Sequence, residues 1–181
     1  MATPPVFVAN TVLTASQMNK VGLWLIDSST PTAATSLNWN SVFTSDYENY
    51  LIYVTGSASS GSPTMTLQMR NGIVNTGTNY YWTKQTNNYN AANTTSNGGG
   101  STSSFDCATM SSLVTGSVRI NLTRPQKSGA TGFDCVATIA ATSAQMTQGV
   151  LNDSTSYDGF RLVSSTAATL SLSVEIYGYH S

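Results

Sequence analysis

Ser117-Val118-Arg119-Ile120-Asn121-Leu122-Thr123-Arg124 alternates apolar and polar residues without a break. Val118, Ile120 and Leu122 fall on one side, and Arg119, Asn121 and Thr123 on the other. Successive side chains of an extended chain point to opposite faces, so this octapeptide reads as a strand with one buried face and one wet face. The same period recurs in both directions along the chain. Thr64 to Arg70 sets Met65, Leu67 and Met69 against Thr66, Gln68 and Arg70. Thr169 to Tyr179 places Leu170, Leu172, Val174 and Ile176 on one face. Asn49 to Thr55 is apolar on both faces, as a central strand is. Asn79 to Thr86, Phe133 to Ala141, Ala144 to Leu151 and Gly159 to Ser164 also read as strands. About nine strands separated by Gly, Asn, Ser and Pro turns predict an all-β fold, an antiparallel β-sandwich that is jelly-roll-like.

Residues 1–37 read differently, which divides the chain into an N-terminal segment, 1–37, and a sandwich domain, 38–181. Met1 to Asn10, with Pro4 and Pro5, has the look of an extended arm. Thr14-Ala15-Ser16-Gln17 fits a capping box and opens one short helix through Lys20, which Gly22 would end. Val21 to Asp27 is an apolar strand candidate, and Ser28 to Ser36 a loop. One later stretch loses the alternation. Gln85 to Ser104, with Asn87, Asn88, Asn90, Asn93, Asn97 and the run Gly98-Gly99-Gly100, predicts a long uncharged loop.

Only 8% of the 181 residues are charged and the net charge is −1, while Ser, Thr and Asn fill 68 positions. A soluble domain typically carries about 25% charged residues. Without a basic excess, nucleic acid is not an expected partner. A hydrophobic fraction of 40% is too high for a disordered chain. An uncharged skin repels its own copies weakly, which favours a protein that works inside an assembly. Met1 to Asn10 has no signal-peptide pattern and no apolar run approaches a membrane span, so synthesis in the cytoplasm without membrane insertion is expected.

Catalytic constellations are scarce. The sole histidine, His180, is the penultimate residue, and no nucleophile elbow, phosphate loop or zinc-binding spacing occurs. The expectation is a protein that is not an enzyme and needs no cofactor or metal. Cys107 and Cys135 sit in matching strings, Phe105-Asp106-Cys107 and Phe133-Asp134-Cys135, which suit neighbouring strands within disulfide reach or two buried free thiols. Asn152 to Asp158 is rich in oxygen ligands, but an ordinary polar hairpin loop accounts for it better than calcium. Tyr80, Tyr81, Trp82 and Tyr89 border the Asn-rich stretch. Aromatic faces flanked by amides suit sugar rings, which makes Tyr81, Trp82, Tyr89 and Asn90 the candidate glycan-binding residues.

Three strings carry a family resemblance. Ala9-Asn10-Thr11-Val12-Leu13-Thr14-Ala15-Ser16-Gln17-Met18-Asn19 resembles the N-terminal segment of tailed-bacteriophage virion proteins. Asp46-Tyr47-Glu48-Asn49-Tyr50-Leu51-Ile52 is similar to a second recurrent piece of such proteins. Tyr157-Asp158-Gly159-Phe160-Arg161-Leu162, followed by Val174-Glu175-Ile176-Tyr177-Gly178, resembles the closing strands of their appendage domains. The resemblance implies a homotrimeric, non-enzymatic virion component, with Val12, Leu13, Thr14, Gln17 and Met18 docking it on other virion proteins. Two roles follow from it: a tail-fibre-type appendage contacting a host surface glycan, or a capsid-decorating protein that stabilises the shell. The aromatic, Asn-rich stretch favours the first, and the lack of a long fibrous shaft favours the second.

Overall fold

A computed structural model describes residues 22–89, 94–139 and 143–179, which contain thirteen strands and no helix. They are β1 (Trp24–Ser29), β2 (Ser36–Trp39), β3 (Asn49–Ala58), β4 (Thr64–Asn71), β5 (Ile73–Val74), β6 (Tyr80–Asn88) and β7 (Thr94–Thr102). Then come β8 (Phe105–Thr109), β9 (Gly116–Thr123), β10 (Thr131–Ile139), β11 (Ser143–Leu151), β12 (Gly159–Ser164) and β13 (Leu170–Tyr179). Eight of them form one antiparallel sheet in the order β1-β13-β3-β9-β10-β11-β6-β7. The smaller antiparallel sheet runs β2-β12-β4-β5, with β8 also on β4.

The two sheets share one core, and the alternating strands fill it as their pattern requires. Val118, Ile120 and Leu122 of β9 are buried. They stand in register with Val54, Ile52 and Tyr50 of β3 on one side and Ala137, Cys135 and Phe133 of β10 on the other. The smaller sheet answers with Met65, Leu67 and Met69 of β4 and Phe160 and Leu162 of β12. Burying such side chains stabilises the fold by about 1.5–3 kcal/mol each before entropy is counted.

Eight strands form a frame, β1, β3, β9 and β13 in the larger sheet and β2, β4, β8 and β12 in the smaller. The remaining strands belong to two insertions, β5–β7 between β4 and β8, and β10–β11 between β9 and β12. β10, β11, β6 and β7 lie side by side and extend the larger sheet beyond β9. β8 fastens this extension. It touches β9, β10, β11 and β6 across the core. Phe105 stacks on Phe133, with ring centroids 4.2 Å apart and planes 4° from parallel, while Tyr80 meets Phe105 edge-on at 4.9 Å. Lys84 Nζ lies 2.7 Å from Asp106 Oδ2, both side chains nearly buried. The Gln145 amide accepts from Thr109 N at 3.0 Å and donates to Thr109 Oγ1 at 3.2 Å.

Several expectations change here. The stretch 85–104 is not a loop, because β6 continues to Asn88 and β7 spans Thr94–Thr102, paired with it. β7 contains no buried residue, so neither of its faces selects apolar side chains and the period-two signal disappears. The division after residue 37 does not match a structural boundary. β1 pairs with β13, Ile26 packs on the core, and Leu37 is buried in β2. The expected helix, Thr14 to Lys20, and the arm before it lie outside the described residues. The Phe-Asp-Cys strings meet across the core from opposite sheets rather than on neighbouring strands. Both thiols are free and buried, and Cys135 Sγ donates to the Cys107 carbonyl at 3.4 Å.

Two of the sequence strings noted above, 46–52 and 174–178, meet. A Cβ at Gly178 would lie 2.4 Å from the Tyr47 ring, so only glycine allows Tyr47 to pack there.

Two predictions test this packing. Burial pushes the Cys107 thiol well above its ordinary value. Both cysteines should therefore resist a thiol-specific reagent in the native protein and react in denaturant. Rapid labelling of the native state would contradict their burial. Removing one partner of the buried ion pair, as in Lys84→Ala, should cost about 3 kcal/mol by denaturant titration. The apolar double variant Lys84→Met/Asp106→Leu should lose clearly less, and equal losses would contradict the pairing.

Candidate functional site

The extension carries a depression beside the expected aromatic residues. Tyr81, Trp82 and Thr83 of β6, Gly98-Gly99-Gly100 of β7, and Gly149 and Val150 of β11 line a shallow trough of about 620 Å³. Alternation along β6 places Tyr81 and Thr83 on the outer face, where Tyr81 is 41% exposed, and turns Tyr80 into the core. β7 passes Tyr81 through an irregular register: Tyr80 pairs with Thr102, whereas Trp82 already pairs with Gly99. Bulges of this kind re-aim a side chain beside a site. Ser101 has a left-handed φ of 56° in this bend, and its hydroxyl donates to the Tyr81 hydroxyl at 3.4 Å.

Trp82 is half-buried and serves a different purpose from Tyr81. A Cβ at Gly99 would stand 2.6 Å from the indole, so glycine lets Trp82 lie against β7. The indole Nε1 donates to Thr102 Oγ1 at 3.1 Å. Trp82 thus holds β7 to β6, and the bare glycines leave a shelf beside the exposed Tyr81 ring. Along the same face, Thr83, Gln85, Ser96, Met146 and Gln148 line an adjoining depression of about 230 Å³. Lys84 also borders it, but its ammonium is engaged with Asp106. The lining is thus an aromatic wall with amides and hydroxyls beside it.

A second cleft, of about 420 Å³, lies between the β4–β6 connection and the loop after β11. Asn75, Asp153, Thr155 and Tyr157 line it and are bonded to one another. Asp153 accepts from Thr155 N at 2.6 Å and from the Asn79 amide at 2.9 Å. Asn75 donates to the Tyr157 hydroxyl. The Thr155 hydrogen bond is the main cause holding the Asp153 carboxyl below its ordinary value, whereas burial pushes the Tyr157 phenol up to about 12. These groups fold the Asn152–Asp158 loop. Among the described residues no cluster of three or more His, Cys, Asp or Glu is placed to hold a metal.

The expected glycan residues are therefore only partly brought together. Tyr81 and Trp82 line one trough. Tyr89 is exposed, but it stands past the end of β6, eight residues from Tyr81 and roughly 26 Å away along an extended strand. Asn90 lies outside the described residues, as do Val12, Leu13, Thr14, Gln17 and Met18. Sequence reasoning missed Gln85, Gln148 and Val150, whose shared face follows from alternation in β6 and β11. Comparison with protein-family models, curated proteins and solved structures finds no match for this chain.

Asp153 makes a pH-dependent prediction. Its lowered carboxyl stabilises the fold above the unfolded value of about 3.9, and that contribution is lost as pH falls through the folded value. Asp153→Asn should lower the melting temperature at pH 6, and its deficit relative to wild type should shrink toward pH 2. A deficit independent of pH would remove Asp153 from this role.

Proposed function

We propose that this protein is a non-enzymatic structural component of a phage virion, a tail-fibre-type appendage that contacts a host surface glycan. The observation that carries the contact is the trough on the extension, where an exposed Tyr81 ring adjoins bare glycines and a row of amides and hydroxyls. A pyranose ring lays its C–H face on such a ring, and its hydroxyls reach Thr83, Gln85 and Gln148. The extended strip suits several consecutive units of a polysaccharide.

The frame reads as a jelly roll. Its eight strands divide as β1-β13-β3-β9 and β2-β12-β4-β8, the arrangement of two interleaved Greek keys. Viral capsid and lectin domains both use that architecture, which supports the reading by analogy alone. The family resemblance adds to it, since Tyr47 of one recurrent string packs against Gly178 of another. The charge-poor composition fits a subunit that is assembled rather than free. Residues 1 to about 22 are the segment proposed to dock on other virion proteins.

Binding of the purified chain to an array of bacterial surface polysaccharides tests the contact. Wild type should bind at least one, and Tyr81→Ala should weaken that binding about tenfold, the scale of one lost stacking contact. Gly99→Val should also impair binding, because it displaces Trp82, which holds β7 against β6 beside the shelf. A wild-type protein that binds no saccharide, or a Tyr81→Ala variant that binds as well, would overturn the glycan reading.

A further inference from the structure

We propose that the outer face of the larger sheet, at the end away from the trough, pairs with the same face of a second copy of this chain. Of the large apolar side chains exposed on the outer face, Leu25 of β1 and Tyr53 of β3 lie at this end. Tyr53 lies on β3, near the middle of the part formed by β1, β13, β3, β9 and β10. Its ring meets Tyr177 edge-on, with centroids 6.2 Å apart.

The charges around Tyr53 identify the occupant. Glu175, Tyr53 and Arg119 form one cross-strand row on β13, β3 and β9. Glu175 and Arg119 are exposed, and they stand on opposite sides of Tyr53 at about 4.8 Å per strand. Arg119 has no hydrogen bond or ion pair with the described residues, while Glu175 accepts only from Tyr177 at 2.8 Å. A two-fold axis running above β3, parallel to it, exchanges the β13 and β9 sides of the row without moving it along the strands. Glu175 of each copy then faces Arg119 of the other, twice, with Tyr53 against Tyr53 between them. Stacked sheets lie about 10 Å apart, a gap that an arginine and a glutamate span together.

The size is sufficient. Five strands of about eight residues present roughly 600 Å² per copy, so a pair buries about 1,200 Å², the lower bound of stable interfaces. The surface is self-complementary, as a two-fold contact requires. It produces pairs, in contrast to the trimer implied by the family resemblance. β6 and β7 lie beyond the overlap, so each pair displays two troughs facing outward.

Sedimentation equilibrium of the full chain tests this independently of any glycan. The mass should be that of two chains, and Arg119→Glu should raise the dissociation constant by at least about tenfold. Arg119→Glu combined with Glu175→Arg should restore pairing. Circular dichroism should show both variants folded, since both positions are exposed. A chain lacking residues 1–21 should still pair. A monomeric or trimeric wild type, indifference to the charge variants, or no rescue by the double exchange would overturn the proposal. So would pairing that is lost only when residues 1–21 are removed, because that would assign the contact to the N-terminal segment.

Discussion

The stack of Phe105 on Phe133 is the contact on which the rest of the molecule hangs. Aromatic pairs contribute about 1 kcal/mol beyond the area they bury, but position matters more here than energy. Phe133 stands on β10, the first strand outside the frame, and Phe105 on β8, the strand that closes the smaller sheet. Around that contact Cys135 and Ala137 of β10 and Leu151 of β11 also turn into the core. Tyr80, Lys84 and Gln145 each find a partner that fixes β6 or β11 over β8. The phenol of Tyr80 reaches further, accepting from Met69 N at 2.9 Å and so tying the extension to β4. The same hydroxyl donates to the Asn75 carbonyl at 3.2 Å, and burial raises its pKa.

Support from one side gives the extension a gradient of order. β10 buries alternate residues along its length, β6 does so only at Tyr80, and β7 does so nowhere. Binding surfaces often sit at such a low-stability end, where a loop or edge adapts at little cost. β7 carries no charge and no proline, the usual guards of an exposed strand edge. Its glycines and the bend at Ser101 interrupt a flat pairing edge, while Trp82 holds the strand in place from within.

What could be read from the sequence follows the same gradient. Ser117–Arg124 and Thr169–Tyr179 were legible because each has one face in oil and one in water, and their apolar residues are those found buried. Gly159 to Ser164 was legible because turns bound it on both sides. Thr94–Thr102 was not, since a strand exposed on both faces has no period to detect. Trp24–Ser29 was visible as apolar, but its membership in the sandwich depends on pairing with a strand almost 150 residues later. For the candidate site, Tyr81 and Trp82 could be named from the aromatic run, yet their separate duties depend on which one Gly99 shelters. Tyr89 looked like their neighbour only while the intervening residues were read as a loop.

Hydrogen–deuterium exchange of the full chain, with and without bacterial polysaccharide, tests most directly whether the extension is a supported but open recognition surface. The account predicts slow exchange in β3, β9 and β10, fast exchange in β7, and protection on binding at residues 81–83 and 98–100. Exchange in β7 as slow as in β9, or ligand protection confined to residues 75–77 and 153–157, would contradict it.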